Sequence, residues 1–168
     1  MKILSIVLIF VLLTVIWWQV NSNPKAQTGQ PDHYHAGFIV YVDGVKQDFS
    51  DSKYMQTEVC NLNVHENDNP ISKAHLHNNI GDVAHIHVAG TTWRTLFSNL
   101  GLNFANLPSV SGYRESKRID NILDEPILEN DSVIVIIGNE TGIDLNQYVS
   151  KQRIAQVSAL QESVCGDH

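Results

Sequence analysis

Apolar and polar positions divide the chain into an uninterrupted apolar run, a short polar stretch and a long region in which the two alternate. Residues Ile3 to Val20 carry no charge, follow Lys2 and end beside Trp17 and Trp18. About 20 such residues cross the hydrocarbon of a bilayer, so residues 1–20 are expected to form a transmembrane helix. A cleaved signal peptide has a shorter apolar stretch and a small-x-small site, which Trp18-Gln19-Val20-Asn21 does not offer. The expected form is therefore an uncleaved, single-pass anchor, with a buried core helix as the alternative. Lys2 on the cytoplasmic side and the Trp pair at the outer interface would leave the remaining chain extracytoplasmic. Residues 21–32 (NSNPKAQTGQPD) read as a flexible linker.

From His33 onward the alternation changes period several times. HYHAGFIVYV over 33–42 is rich in strand formers, Asp43-Gly44 is a favoured hairpin turn, and Val45 to Phe49 supplies the return. Thr57 to His65 is a candidate third strand. Lys73 to His77 and Val83 to Val88 form a second hairpin around Asn78 to Asp82. Trp93, Leu96, Phe97 and Leu100 follow helical spacing behind a Thr91 or Thr92 cap, and Gly101 stops the run. A strand near Tyr113 to Ile119, the apolar run Ser132 to Ile137 and a helix over Leu145 to Ser163 complete the order. The expected fold is α+β: a transmembrane helix followed by a small mixed or antiparallel sheet domain over 33–168, with two helices on one face.

Composition adds a class and a constraint. The whole chain of 168 residues is 43% apolar and 17% charged, a globular composition, and the part after the linker has the length of one domain. A formal charge of -7 argues against a binder of nucleic-acid backbone, which needs clustered Lys and Arg, and suits cationic partners. Of eight histidines, seven fall between His33 and His87.

Six of these seven are paired as His33-Tyr34-His35, His75-Leu76-His77 and His85-Ile86-His87. Residues i and i+2 of a strand share a face, so each pair sets two imidazoles roughly 6 to 7 Å apart. An HxH pair and one or two further ligands complete a tetrahedral or square-planar site for a transition metal. The candidate ligands are His75, His77, His85 and His87 first, then His33 and His35. Imidazole-rich sites suit Cu(II) and Zn(II), with copper ahead of zinc. The lack of Met or Cys clusters argues against Cu(I) storage and iron–sulfur centres. Glu66, Asp68 and Asp82 are neighbours in sequence that would ligate or orient the rings. The opposing reading is a histidine-rich face for pH sensing or protein contacts. Tyr34 and Trp93 read as core or interface aromatics. Cys60 and Cys165 form a disulfide, or Cys60 ligates a metal, or both stay as thiols.

Three functions fit these residues. The first is a membrane-tethered, extracytoplasmic protein that binds copper or zinc through its HxH pairs. The second is an accessory subunit of a membrane protein complex, packed against integral membrane partners, whose histidines serve contacts or a structural metal. The third is a small metalloenzyme with an open position on a three-His metal and Glu66 or Asp82 as general base. No motif singles out a catalytic base.

HYHAGFIVYVDGVKQDFSDSKYM, AHLHNNIGDVAHIHVAGTTW and the cysteine after the last helix resemble a group of small microbial proteins, membrane-anchored or exported, with paired HxH motifs. That resemblance implies a fold and an external location, and no activity comes with it. The pattern from Val83 to Gly138 also resembles the helix and closing strands of ubiquitin-like β-grasp domains.

Overall fold

A computed structural model of the chain describes residues 33–56, 69–104 and 109–165, with side chains of the last helix described as far as Leu160. Strand β1, Tyr34–Val42, is buried along nearly its whole length, and this follows from apolar or aromatic side chains on both faces. A strand of that kind belongs in the middle of a sheet. Its neighbour β7, Ser132–Ile137, runs parallel to it from Gly37↔Ser132 to Val42↔Ile137. On the other side β4, Val83–Ile86, runs antiparallel from Tyr34↔Ile86 to Gly37↔Val83. The short β2, Val45–Lys46, returns through Asp43-Gly44, both in the left-handed region.

Beyond β4 lies β3, Ala74–His75, and beyond β7 lie β5, Val110–Arg114, and β6, Lys117–Ile119. The seven-stranded mixed sheet has the order β3-β4-β1-β7-β5-β6, with β2 paired to β1. Among the described residues three α-helices accompany it: α1, Pro70–Lys73, α2, Trp93–Asn99, and α3, Lys151–Cys165.

Alternation along β1 and β7 divides the core between two faces. Tyr34, Ala36, Phe38 and Val40 pack with Val133, Val135 and Ile137 against Trp93, Leu96 and Phe97 of α2. Ile39 and Tyr41 pack with Ile134 and Ile136 against Ile154 and Val157 of α3. Gly37 marks where the chain entering α3 crosses the sheet, since a Cβ there would lie 2.5 Å from Val149 Cβ.

This architecture corrects the expected one. Among the described residues the α-helices number three, not two, and α2 and α3 cover opposite faces instead of sharing one, because β7 and β1 bury apolar side chains on both sides. Among the described residues no helix is long and apolar enough to cross a membrane. The helix expected over 1–20 and the linker over 21–32 lie outside the described residues, as does the strand expected over 57–65.

Local chemistry explains three smaller differences. Lys73 ends a helix instead of opening a strand, because Asn69 caps that turn through Ile71 N–H and Pro70 fits its first position. The single strand expected over 113–119 is a hairpin: Glu115 and Ser116 take φ of 48° and 61°. Ser116 is pinned there by Tyr148 Oη on its N–H and by its own hydroxyl donating to Leu145 O at 3.1 Å. The C-terminal helix starts at Lys151, six residues later than periodicity implied, because Asp144 closes a turn on Asn146 N–H and Ser150 Oγ receives Arg153 N–H.

Candidate metal site

Strands β3, β4 and β1 lie side by side, and their register sets His75 opposite His85 and His85 opposite His35. The alternate residues Ala74, Leu76, Ala84, Ile86, Tyr34 and Ala36 all belong to the α2 side of the core. Burying those six fixes the register and turns the six paired imidazoles to the other face, since a slip of one residue would exchange the two sets. His77, His75, His85, His35 and His87 are all buried, none more than 6% exposed, and His33 is half-buried.

Backbone contacts hold the three strands in place. Asn99, at the end of α2, donates from Nδ2 to the carbonyls of Pro70 and Ala74, each at 2.8 Å, and so ties β3 to the helix. His87 N–H donates to Lys73 O at 3.0 Å, and Asn130 N–H donates to His35 O at 2.9 Å. Asn78 and Asn79 take positive φ between β3 and β4, a conformation that asparagine tolerates.

Ring centres lie 4.4 Å apart for His85 and His87, 4.9 Å for His77 and His85, 5.0 Å for His75 and His87, and 5.5 Å for His75 and His85. His33 lies 4.5 Å from His87, and His35 lies 4.6 Å from His85. Four imidazoles bonded at about 2.0 Å to a tetrahedral ion hold their ring centres roughly 5 Å apart. With His75 and His77 5.3 Å apart, five of the six pairs among His75, His77, His85 and His87 lie near that spacing. His75 Nδ1 lies 3.1 Å from Ile71 O, and a carbonyl only accepts, so a neutral His75 carries its proton on Nδ1 and its lone pair on Nε2. His85 Nδ1 meets His35 Nε2 at 2.8 Å, and His87 Nδ1 meets His33 Nε2 at 3.0 Å.

Removing these rings from water disfavours their charged forms, and neighbouring imidazoles add repulsion. Burial first, then His87 and His77, pushes His75 down to about 3. Burial first, with His35 second, pushes His77 down to about 4. His87 is likewise pushed to about 4 by burial and then by His33, and burial drives His85 down as well. Near neutral pH these four side chains are uncharged, the state in which imidazole ligates a metal.

Among the described residues no group of three or more His, Cys, Asp or Glu side chains is arranged so that it could hold a metal ion as it stands. The ring nitrogens of two pairs face each other in place of a common centre. Asp82 does not join the cluster: its carboxylate receives Arg153 of α3 at 3.1 and 3.2 Å. Tyr34 donates to Ile127 O in the core, and Trp93 is fully buried in the same cluster. Cys60, His65, Glu66 and Asp68 lie outside the described residues, as does the side chain of Cys165. Sequence reasoning missed Ile71 O and Asn99, which orient His75 and β3. No sequence pattern marks a backbone carbonyl as a partner, and Asn99 reads only as a helix end.

The chain matches no protein-family model, no curated protein and no solved structure.

Proposed function

We propose that the protein is an extracytoplasmic metal-binding protein that holds copper or zinc on His75, His77, His85 and His87, with His33 and His35 beside them. The observation that carries this reading is the row of imidazoles on and just beyond the ends of three adjacent strands, with neighbouring ring centres 4.4 to 5.5 Å apart. Burying five imidazoles costs stability unless their nitrogens are satisfied, and a metal repays that cost through several strong bonds at once. Neutral nitrogen donors without thiolate or thioether among them suit Cu(II) and Zn(II), copper first. The apolar run Ile3 to Val20 supports a location outside the cytoplasm, at the membrane.

Elemental analysis of the full chain, purified gently in detergent, tests this directly. Near-stoichiometric copper or zinc is expected, lost in the double variant His75→Ala/His77→Ala. Metal-free protein that also fails to take up either ion on dialysis would overturn the reading.

A further inference from the structure

Six imidazoles exceed what one ion needs, and the hydrogen bonds within the cluster divide them. We infer that the cluster holds one metal ion and not two: His85, His87 and His75 ligate it through Nε2, His77 completes the set, and His33 and His35 stand behind as positioning residues. The inference rests on the metal-binding reading and assigns the parts of that same site.

The argument starts from two ring-to-ring contacts. A hydrogen bond between imidazole nitrogens needs a proton on one and a lone pair on the other. At 2.8 Å for His85 Nδ1 to His35 Nε2, and 3.0 Å for His87 Nδ1 to His33 Nε2, both contacts are hydrogen bonds. Beyond them, His85 Nε2 and His87 Nε2 are buried and have no hydrogen-bond partner among the described residues. Suppose His35 and His33 donate. His85 and His87 then carry their protons on Nε2, as buried N–H groups that also block the metal. In the opposite arrangement His85 and His87 donate from Nδ1, and their Nε2 atoms present two lone pairs on rings 4.4 Å apart. Only this tautomer lets a metal satisfy both buried atoms.

His75 follows the same pattern by a different route. Ile71 O fixes its proton on Nδ1, so the lone pair of the neutral ring is at Nε2, with the ring 5.0 Å from His87 and 5.5 Å from His85. In each of the three, Nδ1–H is held by an acceptor behind the ring, and in His85 and His87 the buried Nε2 has no hydrogen-bond partner among the described residues. Metal-binding histidines use this arrangement to fix ring orientation, with a carbonyl or another acceptor as the outer partner. Here His33 and His35 use Nε2 as that acceptor, so they cannot spend the same lone pair on a second ion.

Two measurements on the full chain in detergent test the assignment. The first is zinc content after gel filtration, with affinity by chelator competition, in the wild type, His33→Gln, His35→Gln, His85→Gln and His87→Gln. One zinc per chain is expected in the wild type. His33→Gln and His35→Gln should keep one zinc with affinity lowered 10- to 100-fold, and His85→Gln and His87→Gln should retain none after filtration. The second needs no substitution: long-range proton–nitrogen correlation spectra of labelled histidines should show Nδ1–H in His75, His85 and His87, with zinc-dependent shifts at their Nε2. Two zinc ions per chain, equal loss in all four variants, or Nε2–H in His85 would overturn the assignment while leaving metal binding intact. No zinc in the wild type would overturn both.

Discussion

His75, His77 and His87 hold their charged forms off well into acid, and this has a consequence for the metal-free chain. An exposed histidine takes up a proton near pH 6.5. In the unfolded chain these three do so, whereas in the folded chain His77 and His87 wait until about pH 4 and His75 until about pH 3. Between those limits the unfolded state binds more protons, so stability falls as pH falls. It is fully present above the ordinary histidine value and is lost on acidification from there toward pH 4. Each such ring contributes a slope of about 1.4 kcal/mol per pH unit. Urea unfolding of metal-stripped protein at pH 7 and pH 5 is expected to show a clear loss at the lower pH. Equal midpoints would mean that the rings are exposed or already charged. Bound metal should oppose this loss, because protons and metal compete for the same lone pairs.

Elements, more than single residues, decide where the imidazoles stand. β3, β4 and β1 each bury small or apolar side chains toward α2, and that requirement aims all three HxH pairs at the α3 side. The entry to α3 is fixed by Gly37, where β1 and Val149 approach too closely for any side chain. Gly37→Ala should therefore destabilise the fold by about 2 kcal/mol, in the range of an overpacked core. Chemical denaturation checks this, and a change below about 0.5 kcal/mol, the level of an ordinary surface substitution, would show that the crossing is loose. The same β1 position pairs with Val83 and with Ser132, so a shift there is passed to both neighbouring strands. At the far edge, Glu140 accepts from Ser111 and from Tyr113 Oη, which lowers the pKa of its carboxyl and raises that of the Tyr113 phenol. This joins β5 to the segment after β7, well away from the histidines in the strand order.

At the scale of the whole molecule, the clustering of the histidines was more legible in the sequence than the fold. HxH pairs announce themselves because a strand's two-residue period is short and strict. The capped helix Trp93–Asn99 and the buried run Ser132–Ile137 were visible for the same reason, each carrying a complete local pattern. What sequence did not convey was set by distant partners. No periodicity states that β1 pairs in parallel with β7, nearly a hundred residues away, or that α2 and α3 take opposite faces. The hairpin at Glu115-Ser116 lacks the usual Gly or Asn and depends on Tyr148 and Leu145 from the segment before α3. Asp82, close in sequence to the histidines, was drawn away by Arg153 of α3. Adjacency along the chain thus identified the imidazoles, and tertiary contacts decided which of their neighbours stand with them.

The most direct measurement is X-ray absorption at the copper or zinc edge of the metal-loaded, gel-filtered full chain. The expected spectrum has a first shell of nitrogen at about 2.0 Å and outer-shell scattering from three or four imidazole rings. A shell without ring scattering, or a metal that washes away on filtration, would contradict a site built from the buried histidines of β3, β4 and β1.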